Sequence, residues 1–169
     1  MILIGVGSNL AATGFASPLN TAAAAVALLP GIGITVVRRS RWYKSQPVPP
    51  SHQPWYVNGV AAVETALAPP ALLEALLAVE ARFGRRRLAP NAARTLDLDL
   101  LDYNGTQCVS ERLVLPHPRL HERRFVLAPL VEIAPQWRHS RSGKTAAELL
   151  AAMPPGEQPV HVVAEATNP

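Results

Sequence analysis

Residues 94–101, Arg94-Thr95-Leu96-Asp97-Leu98-Asp99-Leu100-Leu101, alternate between apolar and acidic side chains. Successive residues of a β-strand point to opposite faces, so Leu96, Leu98 and Leu100 share one face and Asp97 and Asp99 the other. The apolar face belongs on a core. The acidic face carries two carboxylates about 7 Å apart, a spacing that suits hard, oxygen-preferring cations. An acidic outer face on an ordinary half-exposed strand reads the same way in isolation, so the neighbours decide.

Working outward, Arg85-Arg86-Arg87 opens a basic loop that closes at Arg94. Before it, Pro69-Pro70 starts a helix that runs through Phe83 and ends at Gly84. After residue 101 the strand continues to Tyr103, and Asn104-Gly105 predicts a hairpin returning over Thr106 to Ser110. Met1 to Val6 is an apolar run that reads as a buried strand. Ser17-Pro18 starts a helix that stops at Pro30-Gly31. Ile32 to Arg39 is β-branched and reads as a strand that bends through Trp42-Tyr43. A Pro-rich loop spans Ser45 to Pro54, and Trp55 to Thr65 alternates as the next strand. Helices are expected over Glu122 to Glu132 and Thr145 to Ala152. The resulting order, strand-helix-strand-strand-helix-strand, predicts an α+β, ferredoxin-like βαββαβ sandwich with helices on one sheet face and extra C-terminal elements. Residues 1–153 form one domain in this reading. Residues 154–169 form a Pro-rich tail, with Val160 to Val163 as a candidate edge strand.

The chain has 169 residues, 49% hydrophobic and 17% charged, which suits one folded domain and excludes wholesale disorder. No apolar run approaches the ~18 residues of a membrane span. The first residues lack a basic n-region, and Cys108 is the single cysteine, so a reducing, cytoplasmic setting is expected. Net charge is +4, and every base except Lys44 and Lys144 is an arginine. Guanidinium grips phosphate or carboxylate at two points, so an anionic partner is indicated. An arginine-rich genome produces the same bias, which leaves nucleotide, nucleic acid and anionic lipid open.

Several motifs are excluded. Gly5-Val6-Gly7 is followed by Leu10 where a dinucleotide fingerprint needs its third glycine, and there is no Walker-A loop. His117 and His121 have helical metal-pair spacing, but Pro116 and Pro118 flank His117 and disfavour a helix there. A nucleic-acid module on this fold needs aromatic residues on its central strands. Here the open face offers Asp97 and Asp99 instead, which repel phosphate unless cations intervene. Carboxylates for metal beside arginines on a loop are the components of phosphoryl transfer.

With these blocks assembled, the chain resembles the 6-hydroxymethyl-7,8-dihydropterin pyrophosphokinase family. The signature is residues 94–101. Gly7-Ser8-Asn9-Leu10, Gln53-Pro54-Trp55-Tyr56-Val57-Asn58, Leu115-Pro116-His117-Pro118 and Arg123-Arg124-Phe125 support it in order. The resemblance implies transfer of the β,γ-pyrophosphate of ATP to the hydroxymethyl group of the pterin, giving the pterin diphosphate and AMP in folate biosynthesis. It implies that Asp97 and Asp99 bind two Mg²⁺ ions and that Arg85 and Arg94 are catalytic. It places Glu80, Arg87, His117 and Arg123 at ATP. It places Ser45, Val48, Tyr56, Asn58 and Phe125 at the pterin, with Tyr56 and Phe125 sandwiching the ring. The expected partners are these two substrates, with no nucleic acid and no membrane, and the expected state is a monomer. Intact Asp97, Asp99, Arg85 and Arg94 argue against a catalytically dead relative. The chain departs from the family where Asn91-Ala92-Ala93 precedes the second catalytic arginine in place of Gly-Pro or Ala-Pro.

Overall fold

The computed structural model describes residues 1–86 and 92–163. Its central strand, β1 (Ile2–Ser8), is buried along its whole length. Ile2, Ile4 and Val6 enter one core and Leu3 another, so both faces of the strand are covered. β1 lies antiparallel between β4 (Tyr56–Glu64) and β5 (Asp97–Tyr103). The far edge of β4 is shared by β2 (Thr35–Arg39) and β3 (Tyr43–Ser45). The bend expected near Trp42 separates these two strands. There Ser40 bonds to Val60 through its backbone and its hydroxyl.

α1 (Pro18–Leu28) begins as the Ser17-Pro18 pair predicts, with the Ser17 side chain accepting from the Asn20 N–H. α1 and α2 (Pro69–Arg82) cover one sheet face. Ala22, Ala25 and Val26 of α1 and Leu72, Leu76 and Val79 of α2 pack with Ile4, Val6, Leu98 and Leu100. The opposite face is not open, which corrects the expectation of helices on one side. α3 (Arg124–Ile133) and α4 (Ala146–Ala151) bury Leu127, Leu130 and Leu149 against Leu3, Val60, Ala62 and Leu101. The unbroken apolar run at the start of β1 is the sign of a strand covered on both faces.

The hairpin is a second difference. Asn104 and Gly105 take the left-handed conformation a tight turn needs, at φ 53° and 72°. The chain beyond them does not return along β5. It forms β6 (Cys108–Val109), which pairs with β7 (Val114–Leu115). Burial of Leu113 and Leu115 in the core under α1 and α2 draws this ribbon inward, and the Leu101 carbonyl of β5 accepts from the His117 N–H instead. Near the C-terminus, β8 (Val160–Val162) pairs antiparallel with β3, completing the sheet order β5-β1-β4-β3-β8 with β2 beside β4. Among the described residues, no helix is long and apolar enough to cross a membrane.

Candidate active site

Gly7 lies in register between Asp97 of β5 and Asn58 of β4. A Cβ at Gly7 would stand 3.3 Å from Asn58 Oδ1, a tight approach, and 3.6 Å from Asp97 Cβ, an ordinary contact. Glycine thus keeps the sheet floor low beneath the first turn of α3, where Phe125 lines the same cavity as Gly7. The alternation read from residues 96–100 is observed: Leu96, Leu98 and Leu100 are buried, and Asp97 and Asp99 face the opening.

Two cavities flank this floor. One, of about 460 Å³, is lined by Ser45, Val48, Tyr56, Asn58 and Phe125 from β3, the Pro-rich loop, β4 and α3. The other, of about 430 Å³, is lined by Glu80, Arg85, Asp99 and His117. Arg94, Asp97, Arg119 and Arg123 line both and mark where the cavities meet. All the residues expected at the pterin therefore share one cavity. Those expected at ATP share the other, except Arg87, which lies outside the described residues. Arg112 and Arg119 also line the second cavity and are not singled out by any motif in the sequence. The available signal for Arg119 was its place two residues after His117.

The second cavity sets five guanidinium groups against three carboxylates. Asp97 is held from both sides: Arg85 donates to Oδ1, and Arg94 Nη1 donates to Oδ2 at 2.8 Å. Arg85 in turn pairs with Glu80, whose Oε1 also accepts from the Leu98 N–H at 2.8 Å. Glu80 is 3% exposed, so its carboxylate ties α2 to β5 and aims Arg85. Glu80 also lines the second cavity, beside Arg85 and Asp97. Arg94 is anchored by the loop after β1: its N–H donates to Asn9 Oδ1 at 2.8 Å, and its carbonyl accepts from the Asn9 and Leu10 N–H groups. The Gly7-Ser8-Asn9-Leu10 block thus fixes one end of the arginine loop. Asn9 Nδ2 also donates to Gln53 Oε1 and the Pro54 carbonyl, each at 3.2 Å, tying the same block to the Pro-rich loop.

Asp99 receives Arg123 Nη1 at 3.3 Å, and His117 Nε2 lies 4.0 Å away. Burial, together with the Asp97 charge, pushes the Asp99 carboxyl above its ordinary range despite Arg123. Burial and the Arg123 and Arg119 charges pull His117 down to about 4, so its ring is neutral at pH 7. His117 Nδ1 accepts from the Arg119 N–H at 3.2 Å, which places the proton on Nε2 and leaves that nitrogen a donor. In the first cavity Asn58 Nδ2 donates to Ser45 Oγ at 2.8 Å, so the two groups orient each other. Burial raises the Tyr56 hydroxyl above its ordinary value, keeping it neutral. The Arg123 guanidinium lies 5.5 Å from the centre of the Phe125 ring.

Two adjacent carboxylates, one disfavoured in its charged form by burial and then by the other, suit a hard divalent cation that takes oxygen ligands. No group of three or more acidic, His or Cys side chains surrounds a common point among the described residues. Mg²⁺ is commonly held by one or two carboxylates together with phosphate and water oxygens.

A family model described as 7,8-dihydro-6-hydroxymethylpterin-pyrophosphokinase matches residues 3–135. The 2-amino-4-hydroxy-6-hydroxymethyldihydropteridine pyrophosphokinase of Synechocystis sp. is 45% identical over 148 residues, covering 88% of this chain and 73% of that protein. The enzyme of the same description from Methylorubrum extorquens is 42% identical over 152 residues, covering 90% and 92%. In fold, the chain is similar to wild-type Plasmodium falciparum HPPK-DHPS solved with pterin and p-hydroxybenzoate. The TM-score is 0.63 at 12% identity, and the match covers 89% of this chain but 41% of that longer one. The enzyme therefore uses ATP as co-substrate and transfers its pyrophosphate to 6-hydroxymethyl-7,8-dihydropterin in folate synthesis. The chain belongs to the 7,8-dihydro-6-hydroxymethylpterin-pyrophosphokinase family.

Proposed function

We propose that the two cavities are the two substrate sites, with transfer taking place where they meet. The observation that carries this reading is the shared wall of Arg94, Asp97, Arg119 and Arg123. The flat pterin enters between Tyr56 and Phe125, with its polar edge toward Asn58, Ser45 and the backbone at Val48. The triphosphate lies in the cationic cavity under Arg85, His117 and Arg123, with Arg87 as a further contact. The sheet order, with β2 and β3 as two halves of one strand, supports a ferredoxin-like βαββαβ core. The residues assigned to both substrates come from a single chain, and a monomer is the working unit in this reading. The half-buried Cys108 is unbridged, which supports a reducing, cytoplasmic setting.

Asp97 and Asp99 would hold two Mg²⁺ ions in this reading. When bound, the ions neutralise phosphate charge and favour deprotonation of the pterin hydroxymethyl group. The pterin hydroxymethyl oxygen releases its proton to solvent and forms a bond to the β-phosphorus, the bond between that phosphorus and the α,β-bridging oxygen breaks, and AMP departs with that oxygen. Arg94 and Arg85 hold charge on the transferring group as it shifts from one bridge to the other. His117 donates from Nε2 to a phosphate oxygen without adding charge. Tyr56 and Phe125 orient the acceptor oxygen by gripping the ring. Such positioning matters because the reaction asks for little covalent chemistry from the protein.

Calorimetric titration of ATP with Mg²⁺, and again with a chelator, tests the metal assignment. The wild type binds more tightly with Mg²⁺, and Asp97→Asn and Asp99→Asn lose most of that difference. Variants with the full Mg²⁺ dependence of the wild type contradict it.

A further inference from the structure

The matched family region ends at residue 135, yet the described C-terminal segment reaches back to both walls of the pterin cavity. Gln158 is the centre of this return. It takes φ 49°, the left-handed region that a residue with a Cβ adopts only at a cost. That conformation accompanies a two-point bridge: Oε1 accepts from the Arg124 N–H at 3.1 Å, and Nε2 donates to the Glu122 carbonyl at 2.9 Å. One amide therefore spans the peptide groups on either side of Arg123. Arg124 is the first residue of α3, and the N-cap residue, Arg123, supplies no side-chain cap. Gln158 satisfies one of the unpaired N–H groups of that helix start from a distant part of the chain.

The contact is reciprocal. The Arg124 guanidinium donates to the carbonyls of Glu157 at 2.8 Å, Pro154 at 3.0 Å and Met153 at 3.5 Å. A few residues on, β8 pairs with β3, and the Val163 N–H donates to the Trp42 carbonyl at 2.8 Å. His161 stacks on Trp55 with ring centres 5.9 Å apart and planes 21° apart, next to Tyr56. Glu157 and Gln158 themselves line the pterin cavity. The segment thus ties the turn that bears Arg123 and Phe125 to the strand that feeds the Pro-rich loop.

We propose that residues 153–163 are a strap that sets the width of the pterin cavity, with Gln158 as its positioning residue. The amide of Gln158 fixes the backbone on both sides of Arg123. It thereby aims the Arg123 guanidinium at Asp99 and the Phe125 ring over the pterin. The left-handed backbone at Gln158 is retained for this geometry, since glycine would relax it but bring no amide.

That contrast supplies the test. Gln158→Gly removes the bridge while relieving the backbone, so a merely structural turn residue would keep its activity and hold or gain thermal stability. The strap predicts a different result: a Tm close to that of the wild type, because backbone relief offsets the lost hydrogen bonds, with kcat/KM for the pterin reduced roughly tenfold. The loss falls mainly on pterin KM and less on ATP KM. Gln158→Glu, which keeps the acceptor and loses the donor, gives an intermediate KM. A Gln158→Gly enzyme with wild-type kinetics for both substrates overturns the strap. The inference rests on the roles given above to Arg123 and Phe125, so Arg123→Ala is measured alongside. An impaired Arg123→Ala beside a wild-type Gln158→Gly rejects the strap and leaves the site standing. An Arg123→Ala enzyme with wild-type kinetics overturns both.

Discussion

Asp97 accepts from Arg85 and Arg94, the two arginines that bound the loop, and it lies in the wall shared by both cavities. Removing its carboxylate takes away a proposed metal ligand and frees two guanidinium groups at once. Asp97→Ala is predicted to abolish turnover in a chain that still folds, as circular dichroism and product chromatography together would report. Arg94→Ala leaves the metal ligands in place and removes one charge-stabilising donor, so kcat should fall roughly 10²–10³-fold with a much smaller change in ATP affinity. Single-turnover kinetics separates the two effects, and an unchanged transfer rate would remove Arg94 from the chemistry. Gly7→Ala pushes a methyl group toward Asn58 Oδ1, 3.3 Å from the added carbon. It should raise pterin KM several-fold by displacing the amide, roughly the effect of weakening one buried hydrogen bond. The two carboxylates were readable from sequence because a strand's period of two is unambiguous over residues 96–100. Arg119 was not, because an isolated base gives no periodic signal and only the fold shows which cavity it faces.

α4 shows how local chemistry makes a short helix hold. Thr145 accepts from the Glu148 N–H, and the Glu148 carboxylate accepts from the Thr145 N–H, a full capping box. Thr145→Ala should cost about 1 kcal/mol and lower Tm by roughly 2–4 °C, leaving kcat unchanged because α4 touches neither cavity. Scanning calorimetry with parallel kinetics checks both halves, and a Tm equal to that of the wild type contradicts the cap. Leu127→Ala in α3 is predicted to cost more, about 2–5 kcal/mol, by opening a void in the second core. Helix starts of this kind, like Ser17-Pro18, were legible in sequence because they are written within four residues. What α3 and α4 pack against was not. The two-sided burial of β1 follows only when the strand is seen between β4 and β5 with a helical pair on each face. The turn at Asn104-Gly105 was legible for the same local reason, whereas the partner of β6 was decided by the burial of Leu113 and Leu115.

Across the described residues, the two sheet faces divide the work: one core joins α1 and α2 to the antiparallel sheet, and the other supports α3, whose first turn lines the candidate site. A pH effect on stability belongs to that second side. Burial, followed by the neighbouring His121 charge, lowers His139 from its ordinary 6.5, while Asp102 opposes and Arg141 adds to the shift. The unfolded chain then binds a proton that the folded chain resists, so the His139 contribution is complete above pH 6.5 and is lost as pH falls through its lower folded value. Tm should decline on acidification below neutrality, and His139→Gln should flatten part of that decline. Parallel curves for the two proteins would contradict the assignment. The central claim is tested most directly by incubating the enzyme with ATP, Mg²⁺ and 6-hydroxymethyl-7,8-dihydropterin and resolving the nucleotides by chromatography, for the wild type and Asp97→Ala. The account predicts pterin-dependent AMP from the wild type and none from a folded Asp97→Ala. ADP as the product, or AMP at the wild-type rate from Asp97→Ala, would contradict it.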